Sequence, residues 1–165
     1  MLFRSSVFDI AKIITESLDK SASKHNIEKP VLFLEPGRSI ISTSGVTLYT
    51  VGSSKQVPNG RKYVAVDGGM ADNPRPSLYD AKYFAQKANS TNTNEKEVVT
   101  LAGKYCESGD ILIKDIEISK LDAGDIICVF NTGAYNYSMA SNYNRRQKPA
   151  MALINNGNAE IIIEP

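Results

Sequence analysis

Four short groups of residues carry side chains whose type and spacing could do chemistry. In Glu35-Pro36-Gly37-Arg38, Gly37 lets a ligand approach the backbone closely, and Arg38 offers a planar fork of donors suited to phosphate or carboxylate. By itself the tetrapeptide reads equally well as a strand-ending turn with a surface Arg. Arg75 and Tyr79 lie four positions apart in Arg75-Pro76-Ser77-Leu78-Tyr79. If Pro76 opens a turn of helix, a guanidinium and a phenol share one face, a pair suited to a carboxylate. Otherwise they cover surface. Cys106-Glu107-Ser108-Gly109-Asp110 sets a thiol that could pass a proton beside a carboxylate that could bind a cation. Gly133-Ala134-Tyr135 puts a phenol next to a tight turn.

Composition removes other chemistries. The chain has 165 residues, 42% hydrophobic and 22% charged, with 19 basic against 18 acidic side chains. This is the profile of one globular domain, or one domain plus a fragment of a neighbour. A net charge of +1 without a basic cluster argues against nucleic acid as the main partner. No apolar run approaches the roughly 20 residues that span a bilayer, and no leader pattern opens the chain, so it reads as cytosolic with no membrane partner. A single histidine, His25, in a polar stretch reads as a solvated helix end. It argues against a His/Cys zinc site and a Ser-His-Asp triad, and no metal site is expected. Cys106 and Cys128 form no CxxC pair and read as reduced thiols.

The elements that must position these groups fall into two textures. Residues 4–24 repeat Val7, Ile10, Ala11, Ile14, Leu18 and Ala22 at helical spacing, predicting an amphipathic helix of about five turns. Val31-Leu32-Phe33-Leu34 predicts a strand buried on both faces, as in a parallel sheet. Helix and strand together read as the tail of a βα repeat, so the opening looks cut from something larger. From Ser39 onward short β-branched segments alternate with turns. Strands are predicted at 40–51, 62–67, 97–102, 110–118, 125–130, 150–154 and 159–163, with a turn-rich stretch over 53–60. Hairpin or loop signals lie at 121–125 and 155–158, and the series suggests a barrel or sandwich. Residues 67–81 read as too irregular for a strand and too rich in proline for a stable helix. Residues 131–146 read as a long irregular connection of the kind that carries function, and 86–94 as a mobile surface loop.

Taken in order, EPGR, VDGGM with RPSLY, CESGD and GAY closely resemble the C-terminal half of the diaminopimelate decarboxylase family, fold-type III enzymes that use pyridoxal phosphate. The resemblance runs from about residue 1 to about 163. It implies that residues 1–38 are the last helix and strand of a cofactor-holding (β/α)₈ barrel, and that 39–165 are a mainly β, C-terminal β-barrel domain. It also implies that Glu35, Pro36, Gly37, Arg38 and Tyr135 lie at the cofactor phosphate, with Arg38 and Tyr135 also touching substrate. Arg75 and Tyr79 would hold the distal carboxylate of meso-diaminopimelate. Cys106 would be the catalytic proton donor and Glu107 would bind the distal ammonium, both reaching the partner's site in a homodimer. The reaction implied yields L-lysine and CO2. Relatives acting on ornithine typically have Asp after this cysteine, so Glu107-Ser108 and RPSLY speak against arginine, ornithine or carboxynorspermidine as substrate. A non-catalytic β-barrel module for binding or dimerisation is the other alternative. None of the 13 lysines matches the context of the cofactor lysine, so the chain alone is expected to be inactive.

Overall fold

A computed structural model describes residues 6–90 and 95–165. The chain divides into two compact units, one running to Glu35 and one spanning Pro36–Pro165.

The first unit is built on helix α1, Val7–His25. Ser6 caps it, accepting the Asp9 N–H while the Asp9 carboxylate accepts the Ser6 N–H, a reciprocal capping box. Asn26 ends it in the left-handed conformation, and His25 sits in its exposed last turn. Along the predicted stripe Ala22 is buried and Ile14 and Leu18 are half-covered, while Val7 and Ile10 face solvent. Residues 4 and 5 of the predicted helix lie outside the described residues. The predicted strand at Val31–Leu34 does not form: these residues are irregular, and Val31 and Phe33 are 79% and 87% exposed. A strand is held by its neighbours' hydrogen bonds, and no described strand pairs with this segment.

The second unit is mainly β. It begins with a short helix α2, Gly37–Ile41, and a 3₁₀ turn, Ser42–Ser44, where a strand from residue 40 is predicted. The apolar run Ile40-Ile41 misleads because the serines around it bond back to the chain. Ser39 Oγ donates to the Pro36 carbonyl and Ser44 Oγ to the Ile41 carbonyl, each at 2.7 Å. Strand β1 therefore covers Val46–Gln56, running further than predicted into the turn-rich stretch. The chain continues through β2 (Lys62–Val66), α3 (Arg75–Tyr79), β3 (Ala85–Lys87), β4 (Lys96–Ala102), β5 (Ile111–Ser119), β6 (Ile126–Phe130), α4 (Asn136–Met139), β7 (Met151–Asn155) and β8 (Asn158–Ile163).

Strands β3-β6-β1-β2-β4-β5 lie in that order in one sheet, and its edge strands β3 and β5 approach each other, giving a nearly closed barrel. Val64, Leu101, Ile127, Val99 and Val129 fill the interior. At 121–125, where the signal allows a hairpin or a loop, a turn forms, and because β5 and β6 do not pair it is the loop. Of the predicted mobile loop at 86–94, residues 86 and 87 instead belong to β3, paired with β6, and 91–94 lie outside the described residues. Strands β7 and β8 do not join the barrel but form their own two-stranded sheet. Asn156 and Gly157, both at positive φ, close that hairpin as the tight turn whose twist suits two strands.

One pairing decides how the chain reaches the arginines. Strand β2 runs parallel to β4 while the other pairs are antiparallel. Parallel neighbours cannot be joined by a tight turn, so a long crossover must leave the end of β2, and α3 sits on it. The proline-rich stretch predicted to be non-helical thus contains five helical residues, because Pro74 precedes the turn and Pro76 occupies its start, where no intrahelical N–H bond is lost. Leu101 is fully buried and Leu48 is 61% exposed. Leu101→Ala should cost about 2–5 kcal/mol and Leu48→Ala less than about 0.5 kcal/mol, read as the difference in urea unfolding midpoints of the two variants.

Candidate functional site

Two connections meet beside the sheet. One is the crossover after β2, which carries Arg75 and Tyr79; the other, after β6, carries Tyr135. What brings Tyr135 to α2 is a backbone contact. The Gly133 N–H donates to the Ser42 carbonyl and the Thr132 N–H to the Gly45 carbonyl, both at 3.0 Å. A Cβ on Gly133 would stand 2.2 Å from the Ile41 carbonyl oxygen, and one on Gly45 would stand 2.5 Å from the Gly133 Cα. Both residues must lack a side chain for the chains to touch here. Two residues on, Tyr135 takes φ 68°, ψ −6° as it enters α4, a left-handed conformation unusual for a bulky side chain.

The outcome is a stack of cations and phenols. The Arg38 guanidinium lies 5.1 Å from the centre of the Tyr135 ring, and the Arg75 guanidinium lies 5.7 Å from that same ring and 5.0 Å from the Tyr79 ring. These are cation–π distances. A Cβ on Gly37 would sit 3.4 Å from the Tyr135 hydroxyl, so the phenol lies against the start of α2. Neither arginine pairs with a carboxylate among the described residues. Arg75 directs one terminal nitrogen at the Met139 sulfur, 3.9 Å away, a weak acceptor, and its buried Nε has no hydrogen-bond partner there. Two guanidinium groups around one phenol without a counter-charge repel each other. An anion placed between them would relieve that repulsion and satisfy donors now idle.

The third group stands on the β4–β5 connection. Cys106 and Glu107 are exposed, and both cysteines are free, with Cys128 buried. The Cys106 N–H donates to Asn144 Oδ1 at 3.4 Å. The Gly109 N–H and the Ser108 hydroxyl donate to Glu107 Oε1 at 3.3 and 3.1 Å, holding its carboxyl below the ordinary range and leaving an anion aimed at solvent. Ser77 Oγ donates to the Gly109 carbonyl at 2.7 Å, tying α3 to this arm. Among the described residues, no hydrogen bond, ion pair or ring contact joins Cys106 or Glu107 to Arg38, Arg75 or Tyr135. Pro36 begins the second unit, and Glu35 closes the first as an exposed residue.

Sequence reasoning did not find Asp110, Gly45, Met139, Asn73 or Asn136. Asn73 and Asn136 are 1% and 4% exposed. Asn136 accepts the Tyr83 hydroxyl at 3.2 Å, yet its amide nitrogen, and both amide atoms of Asn73, have no partner among the described residues. Their signal in the sequence is only that each abuts a singled-out group, Asn73 two residues before Arg75 and Asn136 directly after Tyr135. Met139 lies one helical turn from Tyr135, where a thioether reads as core filling.

A nearly closed sheet with arginines, phenols and a thiol on the segments around it defines a class of protein, a β-barrel domain of the kind that forms one part of a larger protein. The family described as "Pyridoxal-dependent decarboxylase, C-terminal sheet domain" matches residues 6–133. The chain belongs to this family. It is 50% identical over 155 residues to a diaminopimelate decarboxylase of Bacillus subtilis (strain 168), covering 94% of this chain and 35% of that protein. It is 49% identical over 159 residues to one from Synechocystis sp., covering 96% and 34%. A crystal structure of the Methanocaldococcus jannaschii diaminopimelate decarboxylase with L-lysine superimposes with a TM-score of 0.79 at 40% identity, covering 94% of this chain and 35% of that one. The chain thus spans about a third of the length of the curated relatives it matches.

The Gly133–Gly45 contact is open to a direct test. Gly133→Ala must push the 41–45 turn away, costing about 1–3 kcal/mol and separating Arg38 from Tyr135. Urea unfolding reads the first effect. NMR shifts confined to residues 37–45 and 131–139 read the second.

Proposed function

We propose that this chain supplies the C-terminal part of a diaminopimelate decarboxylase, an enzyme that converts meso-2,6-diaminopimelate to L-lysine and CO2 with pyridoxal phosphate. The observation that carries this reading is the pair of guanidinium groups, Arg38 and Arg75, on the Tyr135 ring with no carboxylate paired to either among the described residues. A phosphorylated cofactor and a dicarboxylic substrate are the anions such a set fits. The 50% identity to decarboxylases of this name supports the choice of substrate.

In this reading residues 1–38 belong to a cofactor-holding α/β barrel and 39–165 form the β domain. The exposed run Val31–Leu34 would gain ladder partners from the rest of that barrel. Glu35, Pro36, Gly37, Arg38 and Tyr135 would hold the cofactor phosphate, and Arg38 and Tyr135 would also reach the substrate. When bound, the cofactor supplies an electron sink for the carbon that loses CO2. Arg75 and Tyr79 hold the distal carboxylate, Arg75 through donors that have no carboxylate partner here. Glu107, already an anion, receives the distal ammonium. Cys106 delivers a proton from Sγ to the carbon that has lost CO2. Cys106 and Glu107 stand on an arm apart from the arginine stack, which is the arrangement expected if they serve the site of the second subunit in a homodimer. A site that pairs both distal charges rejects substrates lacking them, because its own groups are then left unpaired. The setting is cytoplasmic, as for other small-molecule biosynthesis.

These 165 residues on their own are expected to release no CO2. Joined to the barrel portion of the Bacillus subtilis relative, they should restore turnover of meso-diaminopimelate, and Glu107→Ala in that chimera should raise KM for it at least tenfold. A folded, cofactor-loaded chimera that decarboxylates ornithine or arginine in preference to diaminopimelate would overturn the reading.

A further inference from the structure

Asp110 closes the CESGD segment and is a carboxylate in an unusual place. It is 3% exposed and forms no ion pair among the described residues. Backbone amides surround it instead. Oδ1 accepts the Met70 N–H at 2.6 Å, and Oδ2 accepts the Tyr105 N–H at 2.7 Å. The Asp110 carbonyl accepts the Gly103 N–H at 2.9 Å. The carboxylate is also tightly enclosed. A Cβ on Gly69 would fall 2.4 Å from Oδ1 and one on Gly103 2.2 Å from Oδ2, so both flanking positions have room only for glycine. Burial pushes its carboxyl above the ordinary range, and the two amide bonds pull the other way.

The two donors belong to different segments. Met70 lies on the crossover that leads from β2 into α3 and Arg75, whereas Tyr105 directly precedes Cys106 on the β4–β5 connection. One carboxylate therefore bridges the two strands' exits, each oxygen holding one of them. The Lys104 N–H to Gly68 carbonyl bond at 2.9 Å and the Ser77 hydroxyl to Gly109 carbonyl bond at 2.7 Å run between the same two segments. Among the described residues Asp110 alone holds both through a buried side chain, with short charge-assisted bonds of about twice the strength of neutral ones. A neutral amide of the same shape would not replace it. It has one acceptor oxygen, and its NH2 would face one of the two N–H groups, donor against donor.

We propose that Asp110 is a positioning residue that fixes the arm bearing Cys106 and Glu107 relative to the segment bearing Arg75. The proposal rests on the reading of those three as site residues, but its test measures only their relative placement, so the two readings fail separately.

A nitroxide attached to the exposed Cys106, in a chain whose buried Cys128 is replaced by Ala, broadens nearby amide NMR signals in proportion to proximity. In the parent chain the amides of residues 70–79 should show one sharp, strongly graded broadening profile. Asp110→Asn should at least halve the broadening at residues 75–79 and move the Met70 and Tyr105 amide signals upfield, while the core amides of Val64, Leu101 and Ile127 keep their shifts. Asp110→Ala should do the same. A folded Asp110→Asn chain with an unchanged broadening profile would overturn the proposal. If neither variant folds, hydrogen exchange of the unmodified chain decides. Slow, matched exchange of the Met70 and Tyr105 amides supports the clamp, and exchange of either at the unprotected rate overturns it.

Discussion

Two glycines in backbone contact hold the arginine stack together. Gly45 ends the turn that follows α2, Gly133 begins the connection after β6, and the space between their main chains is too small for a methyl group on either. Arg38 is seven residues before one of them and Tyr135 two residues after the other. The guanidinium meets the phenol because the backbones behind them are in van der Waals contact. Packing of this kind has no gradual failure mode, since an added Cβ does not weaken the contact but excludes it. The left-handed φ of Tyr135 fits the same constraint. It is the conformation in which the chain leaves the glycine contact and enters α4 with the ring beside Arg38 and Arg75.

Much of this was legible in the sequence, and the exceptions have physical causes. Strands β2, β4, β5 and β6 appear within a residue or two of their predicted bounds, because each is a short β-branched or apolar run bounded by turn formers. Where the side chains make local bonds to the backbone, as Ser39 and Ser44 do, an apolar run misleads and helix replaces strand. Val31–Leu34 misleads in the opposite way, having the composition of a buried strand and no ladder to join. The hairpin at Asn156-Gly157 was visible from its turn chemistry, but nothing in the composition of β7 and β8 reveals that they pair only with each other.

The candidate site divides along the same line. Residues that advertise their chemistry, Arg38, Arg75, Tyr79, Cys106, Glu107 and Tyr135, could be named from type and spacing. Residues that hold them could not. Asp110 ends a named segment yet looks like any turn-forming aspartate, and only burial at 3% exposure with two amide donors reveals its part. Gly45 and Met139 give less signal still. Positioning depends on contacts between segments far apart in the chain, which residue type and local spacing do not encode.

The topology that brings these segments together also sets when they can meet. Thr47 on β1 hydrogen-bonds Thr132 after β6, across 85 residues of intervening chain. In an open chain, closing a loop that long costs roughly 4 kcal/mol of chain entropy, and the β1–β2 and β4–β5 pairs inside it shorten it. Pairings near in sequence, β4 with β5 and β1 with β2, incur far less. By this ordering of costs the β1–β6 seam and the glycine contact beyond it form after those local pairs, and a sheet that needs such a long-range pairing to close folds more slowly than one made of local pairs alone. The stack of guanidinium groups and phenols therefore has no early, complete version: the β1–β2 hairpin can draw the stretches bearing Arg38 and Arg75 together, but until the seam closes Tyr135 is not held against either.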